Sequence, residues 1–144
     1  MNNSTLIKLL TYLGALPFFL AIYISLSKQS FLDVAGIDWF RSYGLLILSF
    51  MAGTLWGQVV NQGIKIKRIA LLSNAITLSA WFALLLAGPA VVLIIMAVGF
   101  VALYLLEAVV MSPIKRPDYY RVLRLRVTTL VVIAHGLMLL QVLT

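Results

Sequence analysis

The chain has 144 residues, 63% of them hydrophobic and only 10% charged, with a mean hydropathy of +1.09, values far outside the usage of soluble globular domains. Its solvent is therefore lipid. The absence of cysteine excludes disulfides, thiolate metal sites and cysteine nucleophiles, and the net charge of +7 sits in short segments between apolar runs, which argues for membrane orientation and against nucleic acid as a partner.

Five apolar stretches, residues 6–26, 43–60, 69–86, 90–110 and 127–143, each approach the ~20 residues that cross ~30 Å of hydrocarbon at about 1.5 Å per residue. Backbone groups in lipid must pair within their own segment, and no alternating strands of ~10 residues are visible. The sequence predicts an all-α integral membrane protein, a five-helix bundle forming one domain over 1–144.

In the first stretch Lys8 followed by an apolar run has the outline of a secretory signal. The run is longer than a usual signal core, contains Pro17 and is followed by no A-x-A pattern, so a retained span is expected. Pro17 follows Leu13-Gly14-Ala15-Leu16; it cannot donate a hydrogen bond and its ring displaces the Leu13 carbonyl. A kink alone is the simpler expectation, and a freed carbonyl lining a cavity is the functional one.

Residues 27–42 mix Lys28, Asp33, Asp38 and Arg41 with Phe31, Trp39 and Phe40, as an interfacial connection does. In the second span Ser49, Gly53 and Gly57 recur at intervals of four, which puts three small residues on one helix face and lets another backbone approach. These are the candidate helix-packing residues, with a partner expected inside the chain and a second protein as the alternative. Trp56 and Gln58 add an indole donor and an amide near the end of that span. The basic connection 61–68 offers Gly63 to end the helix.

Ser73, Asn74 and Thr77 bring polar groups into the third span; interhelical hydrogen bonds worth about 1 kcal/mol are the default role for such groups. Ala87-Gly88-Pro89 joins spans three and four as a tight hairpin. Glu107 is the one acid inside a span. It is expected to snorkel or to pair with Arg121, Arg124 or Arg126, a proton or substrate role being the alternative.

Pro117 and Asp118 precede a segment in which Asp118 is placed to cap a helix starting at Tyr119. Tyr119 and Tyr120 then lie at headgroup level, and Arg121, Arg124 and Arg126 meet anionic lipid, each worth about 1 kcal/mol. An orientation anchor is expected, and a docking surface for a partner protein is the sharper alternative. His135, the single histidine, lies near the middle of the fifth span. Alone it supplies neither bis-histidine haem ligation nor a metal cluster, so a neutral imidazole bonded to a neighbouring helix is expected, with quinone or lipid-headgroup contact as the alternative. Asn74, Glu107 and His135 are thus the intramembrane polar candidates.

Counting basic residues orients the chain. Lys8, Lys65, Lys67, Arg68, Lys115, Arg116, Arg121, Arg124 and Arg126 fall on one side, against Lys28 and Arg41 on the other. The positive-inside rule predicts a cytoplasmic N-terminus and a periplasmic C-terminus. No nucleophile with its base, carboxylate pair or metal cluster appears, so no enzyme and no cofactor are expected. Two readings follow. One is a small accessory, assembly or scaffold protein acting through helix packing and the basic-aromatic segment; the other is a small transporter, channel or lipid/quinone-binding protein using Pro17, Glu107 and His135. Expected partners are membrane lipids, anionic on the cytoplasmic side, and a larger inner-membrane complex or a homo-oligomer.

Three places carry a family resemblance: Leu13-Gly14-Ala15-Leu16-Pro17-Phe18; Tyr43-Gly44 leading to Leu48-Ser49-Phe50-Met51-Ala52-Gly53 and Trp56-Gly57; and Tyr119-Tyr120-Arg121-x-x-Arg124 before Thr128. In order and spacing they resemble an uncharacterised bacterial inner-membrane family related to mitochondrial transmembrane protein 69, with Tyr119 where that family has tryptophan. The resemblance spans nearly the whole chain and implies a five-span inner-membrane protein. It implies no activity and no catalytic residue.

Overall fold

The computed structural model describes residues 2–60, 66–110 and 116–144. Five α-helices carry the apolar stretches: α1 Asn3–Leu26, α2 Gly36–Val60, α3 Ile66–Leu86, α4 Pro89–Val110 and α5 Asp118–Leu143. All five are long and apolar enough to cross a membrane. The helices α1, α2 and α5 start well before their apolar runs, at Asn3, Gly36 and Asp118. Extending a helix by polar turns keeps every backbone group paired where the chain leaves the hydrocarbon.

That extension corrects the expected connection over residues 27–42, because α2 takes in Asp38, Trp39 and Arg41. What remains holds a two-stranded antiparallel ribbon, β1 Ser30–Phe31 with β2 Val34–Ala35. Among the described residues the bundle is all-α as expected, with this ribbon of two-residue strands as a local addition. Leu32 and Asp33 at its tip have φ of 52° and 61°. Left-handed backbone at both loop positions is what a two-residue type I′ turn requires. Trp39 ties the hairpin to α2, its indole N–H donating to the Phe31 carbonyl at 3.0 Å, and Arg41 pairs with Asp38 one turn back.

Neighbouring helices close a ring from α1 through α5 and back to α1, with α2 also meeting α4 across the middle. The core holds Phe18, Phe40, Leu48, Met96 and Met138, all fully buried. Glycine permits the tightest approaches. A Cβ at Gly36 would lie 2.5 Å from the Ser25 nitrogen and 2.7 Å from the Ala21 oxygen, so α1 and α2 almost touch where the hairpin joins them. A Cβ at Gly99 would meet Ile76 at 3.1 Å and Leu48 at 3.3 Å.

Ser49, Gly53 and Gly57 are not among these contacts. All three are exposed, and a Cβ at Gly53 or Gly57 would meet nothing within 4 Å. The expectation of a partner inside the chain is overturned. The reason is rotational: α2 buries Gly36, Phe40, Gly44, Leu48 and Ala52, a second stripe at intervals of four on the opposite side of the same helix.

Candidate functional site

The buried face of α4 passes through Gly99, Leu103 and Glu107, again at intervals of four. Packing this face on the bundle takes a carboxylate inside, and Glu107 is 6% exposed. Three side chains compensate it. Arg116 Nη1 donates to Glu107 Oε1 at 2.8 Å. Arg124 Nε donates to Oε2 at 2.9 Å, with its Nη2 at 2.8 Å from the same atom. The Tyr120 hydroxyl donates to Oε1 at 3.3 Å, and the Arg116 guanidinium lies over the Tyr120 ring, 5.2 Å from its centroid. Tyr120 and Arg124 are one helical turn apart at the start of α5, and Arg116 reaches the same carboxylate from just ahead of the Pro117 N-cap. This clasp joins the end of α4 to the beginning of α5.

Of the three partners expected for Glu107, Arg124 takes that role. Arg121 and Arg126 do not, because both are exposed, on other faces of α5. Arg116 is the partner that sequence reading missed, because it lies ahead of the helix, before Pro117, where helical periodicity does not reach. Nor does Asp118 cap α5: the helix starts at Asp118, its N-cap is Pro117, and no side-chain cap bond forms. Tyr119 is half-buried beneath Lys8, whose Nζ is 5.2 Å from the ring centroid. The first turns of α1 and α5 therefore lie side by side, with Lys8, Tyr12, Tyr119 and Arg126 around a surface pocket of about 340 Å³.

His135 occupies a different setting. It is 1% exposed, with its ring 4.8 Å from Phe40, 5.4 Å from Phe100 and 5.5 Å from Phe18. Its Nδ1 is 2.7 Å from the Val131 oxygen. A carbonyl only accepts, so Nδ1 carries the proton in a neutral ring and Nε2 is left as an acceptor. Nε2 is buried with no hydrogen-bond partner among the described residues, and it lies 3.6 Å from where a Gly44 Cβ would stand. The expected bond to a neighbouring helix is thus replaced by one within α5, and the neighbouring helices supply aromatic rings.

The remaining polar candidates are not brought together. Asn74 is exposed on α3. Ser73 donates to Ala70 O and Thr77 to Ser73 O, so these hydroxyls bond along their own helix instead of across helices. The helix α1 runs unbroken through Pro17, and beside it the Tyr43 hydroxyl crosses from α2 to donate to the Gly14 carbonyl at 2.7 Å. Pro17 lines an outer groove with Tyr23, Phe31 and Trp39. No hydrogen bond among the described residues joins Pro17, Glu107 and His135. Nor do the described residues contain a group of three or more His, Cys, Asp or Glu side chains that would hold a metal ion. Gly63, Lys65, Pro113 and Lys115 lie outside the described residues.

Comparison with known families places the chain plainly. It belongs to the family described as Protein of unknown function (DUF3429), whose pattern matches residues 4–140. No curated protein and no solved structure matches it.

Proposed function

We propose that this protein is a small accessory or scaffold component of a bacterial inner membrane, kin to mitochondrial transmembrane protein 69. In this reading its N-terminus lies in the cytoplasm, its C-terminus in the periplasm, and it offers the start of α5 to a partner protein. The observation that carries the reading is the Glu107 clasp. A carboxylate held by two arginines and a tyrosine fixes α4 to α5, which costs side-chain freedom before any partner arrives and leaves Arg121 and Arg126 projecting from a rigid helix end. Basic residues at this end of the bundle outnumber those at the other, in line with a cytoplasmic placement.

The test separates projecting from clasping arginines. Arg121→Gln with Arg126→Gln should release a defined protein from material purified natively in mild detergent, with folding unchanged. A wild-type chain that purifies as a monomer with lipid and no other protein, under several mild detergents, sinks the scaffold reading. Orientation is tested separately by single cysteines at exposed positions. Ser30 and Gly88 should label from outside with an impermeant reagent, and Asn3 and Asp118 only after permeabilisation; the reverse pattern inverts the topology.

A further inference from the structure

Close contact between α1 and α2 is concentrated at the hairpin end, where Gly36 meets Ala21 and Ser25. Toward the other end, past the Tyr43 to Gly14 bond, a groove of about 530 Å³ lies between the two helices, with α5 as its third wall. Gly14 and Phe18 line it from α1, Leu46 and Phe50 from α2, and Tyr120 and Arg124 from α5. Leu46 and Phe50 are 62% and 67% exposed, so the outer rim faces the lipid phase. The walls are apolar apart from Thr11 and Thr54, whose hydroxyls bond within their own helices, and the end where Tyr120 and Arg124 stand.

That end carries surplus positive charge. Two guanidinium groups share the single Glu107 carboxylate, which leaves one charge uncompensated, and Arg124 Nη1 is in no ion pair among the described residues. From Arg124 to Val131 the groove follows α5 for seven residues, about 10 Å at the helical rise, or roughly two-thirds of one leaflet's hydrocarbon depth. An apolar channel of this depth, closed by a guanidinium at the interface, has the polarity of one amphiphile lying along the bilayer normal.

We infer that the groove between α1, α2 and α5 binds one acyl chain of an anionic phospholipid from the leaflet at the basic end, with the lipid phosphate at Arg124. Arginine suits the role because its planar fork keeps N–H donors for a phosphate while others hold the carboxylate. The clasp then acts in two directions, joining α4 to α5 and aiming leftover donors at the groove. This goes beyond the scaffold reading, because it concerns the inward arginines and not the projecting ones.

The purified full chain in maltoside micelles, titrated with palmitoyl-oleoyl phosphatidylglycerol or phosphatidylcholine and read by native mass spectrometry, tests it. One phosphatidylglycerol per chain should bind about tenfold more tightly than phosphatidylcholine, the preference expected of one or two basic groups near a phosphate. At Gly14 an added side chain meets no atom within 4 Å, so Gly14→Leu should enter the groove, leave the melting temperature unchanged and weaken phosphatidylglycerol about tenfold. Leu46→Trp, filling from the opposite wall, should do the same and serves if the first variant is not recovered. Leu78→Ala, exposed on α3, which contributes no wall to the groove, should bind as wild type. Equal affinity for the two lipids, unaltered binding in the groove variants, displacement of the lipid by inorganic phosphate alone, or another protein chain in the groove would each overturn the assignment.

Discussion

Glu107 and His135 are the two buried titratable groups among the described residues, and the fold treats them in opposite ways. Glu107 lies near the end of α4, within reach of long side chains from the start of α5, and receives two guanidinium groups and a hydroxyl. His135 is deep in α5 among three phenylalanines, with one bond to its own helix and a bare Nε2. The contrast teaches what each burial requires. A charge cannot leave water without counter-charge, whereas a neutral imidazole can be held by apolar rings at the smaller cost of one unmet acceptor. One site is built from polar chemistry and the other from shape.

The sharpest way to break the comparison is Glu107→Leu. It strands two inward arginines without a counter-ion and should lower stability in detergent by about 3–5 kcal/mol, the cost of half-breaking a buried pair. Glu107→Gln, still able to accept one bond, should fall between that variant and wild type in thermal unfolding; equal stability of all three would mean the clasp is ornamental. Gly44→Leu attacks the His135 cage, since even a Cβ there would stand 3.0 Å from Met96 Sδ. Overpacking of this kind costs about 1–3 kcal/mol, and a fully stable variant would show the cage to be loose.

His135→Phe is expected to change stability by less than about 1 kcal/mol, in either direction, because it removes an unmet acceptor and keeps a ring of similar shape. A loss as large as that of Glu107→Leu would reveal a partner on Nε2 and erase the contrast. The smallest effect belongs to Gly53→Leu, which should leave the monomer within about 1 kcal/mol of wild type, since the added atoms meet open space and leucine favours helix over glycine. A large drop there would restore a packing role for the Ser49, Gly53 and Gly57 stripe within the chain.

These cases also mark what the sequence could say. Hydropathy revealed all five helices because lipid imposes one solution on the backbone. It misplaced the start of α2, because polar and aromatic residues such as Asp38 and Trp39 are as compatible with a helix end at the interface as with a loop, whereas Pro117 and Asp118 marked the start of α5 to within one residue. Periodicity identified the Ser49, Gly53 and Gly57 stripe on α2 without saying whether it faces inward, and rotation is a property of the neighbours rather than of α2. For Glu107 the need for a cation was legible from its place inside a span, while the exclusion of Arg121 and Arg126 depended on the rotation of α5 against α4, and the choice of Arg116 on the path of the chain before Pro117, neither of which periodicity gives. The groove was invisible for the same reason: it is made by the spacing of three helices, and no single segment encodes it.

The cage around His135 has an experimental consequence beyond energetics. Because the chain contains one histidine, its imidazole protons form a signal set of their own in a magnetic resonance spectrum. Three phenylalanine rings within 5.5 Å will displace those resonances by their ring currents. A selectively labelled histidine is thus a built-in gauge of how α1, α2, α4 and α5 sit around the middle of the bundle, readable in a micelle or a bilayer without adding a probe.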